Sequence, residues 1–165
     1  MKAIVIYDTR FGSTGKVARV LEAGIERAGI ETICSSTKKA SEASLSGYDL
    51  TCIGGPTEAF TASKPMKEFL GRLSANDLSG KHGFAFDTRI RYRFSGSAAR
   101  FIEKYLKGVG LQMIASRESA IVSMIRDRGE VVGAKLDEGA EGRFEQIGII
   151  IGMALLSKKE AVVAL

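Results

Sequence analysis

Five apolar runs, at 2–8, 31–35, 50–55, 81–87 and 111–116, the last resuming at 120–124, read as β-strands, and helical periodicity fills the gaps between them. The clearest helix follows the first run. Val17, Val20, Leu21, Gly24, Ile25 and Ala28 recur at intervals of three and four, and Gly29 stands just beyond as a stop signal. Further helices are predicted over 39–45, 64–73, 96–107 and 142–157. Runs such as Ala3-Ile4-Val5-Ile6-Tyr7 and Leu50-Thr51-Cys52-Ile53-Gly54 suit strands covered on both faces, and strand–helix alternation requires right-handed parallel crossovers. The pattern predicts an α/β three-layer α/β/α sandwich around a five-stranded parallel sheet, order 2-1-3-4-5. In that order the ligand crevice lies beyond the carboxyl ends of the strands, so the loops after Asp8, Gly55 and Asp87 should meet. The segment 125–141, rich in Asp, Arg, Gly and Glu, reads as an excursion before the last helix, and the tail 158–165 carries no clear pattern.

Composition narrows the class. At 165 residues, 45% of them hydrophobic and only two of them Pro, the chain fits a single domain, 1–165, with no linker or internal repeat. The opening Met-Lys-Ala-Ile-Val-Ile-Tyr meets Asp8 at once, as a strand does and a signal peptide does not, so a cytoplasmic location is expected. The longest apolar run, 147–156, is interrupted by Gly148 and Gly152 and reaches about half the length of a membrane span, which predicts a buried helix. Cys34 and Cys52 fall in strands on opposite sides of the first, about two spacings of ~4.8 Å apart, too far for a disulfide. They read as small core residues of a reduced protein. His82 has no companion ligand for a metal, and no Ser-His-Asp arrangement stands out. The formal net charge of +5 favours anionic ligands or acidic partners. No nucleic-acid recognition motif accompanies it.

The chemistry concentrates in Thr9-Arg10-Phe11-Gly12-Ser13-Thr14, between the first strand and the first helix. Unpaired amides and three hydroxyls converge on a helix N-terminus whose dipole favours an anion, and Gly12 allows close backbone approach. A phosphate monoester fits such a nest. The plainer reading is that Ser13 or Thr14 only caps the helix. Neither the Walker spacing nor Gly-x-Gly-x-x-Gly is present, which disfavours nucleoside triphosphates and NAD at this loop.

The run from Val5 to Thr14, followed by Ala18, resembles the apolar strand, hydroxyl-rich FMN-phosphate loop and helix start of the flavodoxin family, including its archaeal type. Gly54-Gly55-Pro56-Thr57-Glu58-Ala59-Phe60 is similar to that family's second flavin loop, and Phe86-Asp87-Thr88 through Tyr92-Arg93-Phe94-Ser95-Gly96-Ser97-Ala98 to its third. The resemblance covers essentially the whole chain and implies a flavodoxin-like fold that binds FMN. Carried over by position, it assigns the phosphate to Thr9, Arg10, Phe11, Gly12, Ser13 and Thr14. It assigns the ring to Pro56, Thr57, Glu58, Ala59 and Phe60 on one side and to Asp87, Thr88, Arg89, Tyr92, Phe94 and Gly96 on the other. Tyr92, Phe94 or Phe60 would stack on the ring. It implies no catalytic side chain and no metal.

Two departures bear on function. The chain has no Trp for the ring, and 58–62 contains no Gly, so a peptide flip there would force a non-Gly residue to positive φ and the one-electron-reduced flavin is expected to be weakly stabilised. Arg89, Arg91, Arg93 and Arg100 crowd the third loop, which suggests an anionic substrate, a nucleotide cofactor or an acidic partner. Three functions follow: an electron carrier working with redox partner proteins or a small-molecule acceptor, an FMN-dependent NAD(P)H:quinone or protoporphyrinogen-type oxidoreductase, or a flavodoxin-like module that has lost the flavin. A phosphorylation receiver shares the strand order, but its acidic cluster is missing here. The sequence leaves monomer and dimer equally open.

Overall fold

The computed structural model describes residues 1–40, 45–92 and 94–163. Alternation along β1 (Lys2–Tyr7) sends Ile4 and Ile6 to one side of the sheet and Ala3 and Val5 to the other, where they join two separate cores. β1 lies between β2 (Glu31–Ser36) and β3 (Leu50–Glu58). β3 turns back into the short antiparallel β4 (Thr61–Ala62), and β5 (His82–Ile90) lies beyond β3. The next position is broken. β6 (Gln112–Met113) and β7 (Glu118–Asp127) both run parallel to β5, with 114–117 bowed out between them.

The parallel order matches the sequence expectation, with one correction. The sheet does not stop at five strands, because β8 (Glu130–Leu136) pairs antiparallel with β7 and forms the edge. The polar segment 125–141 is therefore largely a hairpin. Its turn residues Arg128 and Gly129 have φ of 47° and 87°, the positive values that a tight two-residue turn of the right twist needs. The hairpin continues β7 past the carboxyl end of β5, over the predicted crevice.

One face of the sheet carries α1 (Ser13–Arg27) and α6 (Ala140–Val163). The other carries α2 (Thr37–Ala40), α3 (Lys64–Leu70), α4 (Ala75–Leu78) and α5 (Ala98–Gly108). Of the predicted helix over 39–45, residues 41–44 lie outside the described residues. The flanks are α2 and a 3-10 turn, Leu45–Gly47. The last helix extends through most of the unassigned tail to Val163. The apolar run predicted to be a buried helix is buried on one side: Ile151 and Leu155 are in the core, whereas Ile150 is 62% exposed. Its buried stripe meets α1 at backbone distance, since a Cβ on Gly148 would stand 2.4 Å from the Leu21 carbonyl oxygen.

Val5 is in register with Cys34 on one side and Cys52 on the other, and both thiols are free. Burial, reinforced by the charge of Glu22, pushes the Cys34 thiol up to about 12. His82 starts β5 at the end opposite the crevice, and partial burial, aided by Lys158, lowers its pKa.

Candidate functional site

At the carboxyl end of β1 the chain enters α1 through Gly12, whose φ of 87° is the left-handed conformation that only glycine adopts without strain. The predicted capping by Ser13 or Thr14 is not formed, and among the described residues no side chain caps this helix. The hydroxyls are used elsewhere. Ser13 donates to the Ala134 carbonyl oxygen at 3.0 Å, Thr14 and Thr88 share a hydrogen bond of 2.8 Å, and Thr9 accepts from the Gly12 amide at 3.0 Å. A 15-residue helix thus presents its first-turn amides to the crevice without a side-chain cap, under a loop where the space beside Gly12 is open to 4 Å. Arg10 packs its guanidinium 5.1 Å above the Phe11 ring and 4.0 Å from Glu58.

The second loop is the turn between β3 and β4. Glu58 pairs with Thr61, leaving Ala59 and Phe60 as central residues, with φ of 44° and 71°. Two positive φ values are what a type I′ hairpin turn requires, and Asn-Gly is the usual pair there. Ala-Phe holds the same shape under strain, as backbone at ligand sites often does. The expected resistance of non-Gly residues to positive φ is thus already overcome in the fold. What holds the turn is the third loop: Phe60 forms a β-bridge with Gly96, where any Cβ would come within 2.1 Å of the Phe60 carbonyl oxygen.

The third loop departs most from its assignment. Asp87, expected at the ring, is fully buried. Its Oδ2 accepts from Ser97 Oγ at 2.7 Å, the Ala99 amide at 2.9 Å and Thr57 Oγ at 3.1 Å, so it serves the positive end of α5. Its Oδ1 and Arg89 Nε, two residues apart on one strand, are both buried without a hydrogen bond among the described residues. Arg89 also donates to the Gly96 carbonyl oxygen at 3.1 Å. Tyr92 and Phe94 pack edge-on at 5.9 Å and remain 59% and 64% exposed. Arg91 pairs with Asp137, and Arg93 lies outside the described residues.

A cavity of about 410 Å³ opens where the loops converge, a volume that suits a mononucleotide. From the first loop Thr9, Arg10, Phe11, Ser13 and Thr14 line it. The second loop contributes Pro56, Thr57, Glu58 and Ala59, and Thr88 and Ile90 come from the third. Gly12, Phe60, Asp87, Arg89, Tyr92, Phe94 and Gly96 do not line it. Phe60, Arg89 and Gly96 instead border a second cavity of about 480 Å³, together with Arg100, Lys104 and Arg117. Sequence reasoning missed the hairpin's share of the first cavity: Val122, Met124, Arg126, Val131 and Ala134. The signal for it was Arg128-Gly129 between two stretches with apolar positions. Among the described residues no cluster of His, Cys, Asp and Glu could hold a metal, and no helix is long and apolar enough to cross a membrane.

This donor set fits a phosphate monoester carrying a flat apolar ring. The Thr9, Ser13 and Thr14 hydroxyls and Arg10 line the cavity beside the uncapped start of α1, together with the apolar Pro56, Ala59, Ile90, Val122, Met124, Val131 and Ala134.

No protein-family model matches the chain. A flavodoxin of Clostridium saccharobutylicum is 32% identical over 89 residues, a stretch that spans 53% of this chain and only 56% of that relative. Among solved structures, a flavodoxin from the domain Archaea superposes with a TM-score of 0.74 at 21% identity, covering 94% of this chain and 99% of that one. Rubredoxin oxygen:oxidoreductase of Desulfovibrio gigas superposes with a TM-score of 0.73 at 19% identity, covering 95% of this chain but 36% of that enzyme. At these identities the structural likeness establishes the fold.

Proposed function

We propose that this chain, which has the flavodoxin fold and is similar in sequence to a flavodoxin over half its length, binds FMN non-covalently and transfers electrons. The observation that carries the reading is the uncapped start of α1 beside a cavity that is also lined by apolar side chains. In this reading the first-turn amides, that of Ser13 among them, and the Thr9 hydroxyl hold the phosphate, and Arg10 offsets its charge. Thr14 and Thr88, tied to each other, form the floor. The strained turn at Ala59 and Phe60 keeps Pro56 to Ala59 against one face of the ring. Bound FMN would supply one- and two-electron redox chemistry, and the protein orientation, water exclusion and local charge.

The free thiols of Cys34 and Cys52 accord with a reducing compartment, the cytoplasm. The second cavity, with Arg89, Arg100, Lys104 and Arg117 on its rim, favours an acidic redox partner or a small anionic substrate. The latter would make the chain an FMN-dependent oxidoreductase using NAD(P)H. Steady-state assays with FMN-loaded protein separate the two. A carrier leaves NAD(P)H and quinone untouched until a reductase is added, whereas an oxidoreductase consumes NAD(P)H alone. A protein that stays colourless after incubation with FMN and desalting would rule out both.

A further inference from the structure

We propose that the β7–β8 hairpin, and not the third loop, forms the second wall of the ring site, so that the flavin lies between Pro56–Ala59 and the hairpin's inward face. The inference rests on the FMN reading and adds the residues that grip the ring.

Among its described residues the third loop offers the cavity only Thr88 and Ile90, at its start. The Phe60–Gly96 bridge and the hydrogen bond from Arg89 to the Gly96 carbonyl oxygen tie it to the second loop, and the space these residues border is the second cavity, separate from the one beside α1. The loop's aromatic residues pack on each other outside the first cavity.

The hairpin has the right surface. Val122, Met124 and Arg126 alternate along β7 onto one face, and their cross-strand partners include Ala134, opposite Met124, and Val131, opposite Arg126. All five line the cavity, despite the register shift between Ile125 and Arg126. Ile125 and Val132, on the alternate positions, are absent from the lining and half exposed. The face presented is a strip of methyl and thioether groups with a guanidinium near the tip, matched to a flat apolar ring with a polar rim.

Two contacts hold the arm over the crevice. The Ser13 hydroxyl reaches the Ala134 carbonyl oxygen, and Arg91 pairs with Asp137 just past β8. The wall is therefore anchored to the helix whose N-terminus takes the phosphate. Both ends of the ligand are sensed by one element.

The test begins with titration of the unsubstituted protein with FMN, followed by flavin fluorescence quenching. Absence of saturable binding would end the functional reading, and this inference with it. Given binding, Met124→Glu and Val131→Asp should each weaken it about tenfold or more. Ile125→Glu on the outer face, Tyr92→Ala and Phe94→Ala should change it less than about twofold. The opposite ranking, with tight binding by the hairpin variants and loss in the Tyr92 and Phe94 variants, would overturn the proposal. A second readout needs no disruptive change. In protein labelled with ¹³C at its methionine methyls, assigned through Met124→Leu, the Met124 resonance should move under the ring current when FMN is added while that of Met153 stays in place. An unmoved Met124 methyl at saturation would contradict the proposal independently of any folding defect.

Discussion

Backbone strain at Ala59 and Phe60 is the most telling single-residue feature. Non-Gly residues at positive φ cost about 1–2 kcal/mol each, and these two persist because the bridge to Gly96 defines the turn. Replacing the pair by the residues such a turn prefers, Ala59→Asn with Phe60→Gly, should raise the stability of the ligand-free protein by about 1 kcal/mol in urea unfolding. Unchanged or lower stability would mean that the turn is not strained. Cys34 makes a separate point about burial. With its pKa pushed up to about 12, the native protein at pH 8 holds about a thousandfold less thiolate than an ordinary cysteine. A thiol-specific disulfide reagent should therefore react with native protein far more slowly than with the urea-unfolded chain. Equal rates would show that the thiol is not desolvated. The linkage sign is the usual one for a raised pKa: this thiol's contribution is present below about pH 9 and fades as pH rises through 12.

At the scale of elements, α1 and α6 form the scaffold behind the phosphate loop, and their contact leaves no room for a side chain at Gly24 or Gly148. Gly148→Ala should push the helices apart and cost about 1–3 kcal/mol, read as a lower urea midpoint with an unchanged slope. A neutral effect would show that the interface gives easily. The same elements show what was readable beforehand. Ala3 to Ile6 and the run from Val17 to Ala28 follow strand and helix periods so closely that burial could be read from them. The β7–β8 hairpin was hidden because only its inner face meets the cavity, and Arg126, Asp127, Glu130 and Lys135 gave it the composition of a loop. The turn at Ala59-Phe60 was illegible for another reason: neither residue prefers that conformation, and a distant glycine imposes it.

For the molecule as a whole, the order of the parallel strands decided which loops meet, and Thr14–Thr88 and Thr57–Asp87 confirm that they do. The first loop was legible residue by residue as an anion nest, though not the fact that its hydroxyls leave the helix uncapped. The third loop was legible only as a place in the chain. Asp87, which looked like a ligand contact, faces the buried start of α5, a tertiary arrangement that no local pattern announces. The central claim for the molecule is that the α1 N-terminus receives a phosphate attached to a flavin. The direct measurement is parallel equilibrium titration of the ligand-free protein with FMN and with riboflavin, which share the ring and differ in the phosphate. FMN should bind saturably, one to one, and at least about tenfold more tightly than riboflavin. Equal affinities, or no saturable binding of FMN, would contradict it.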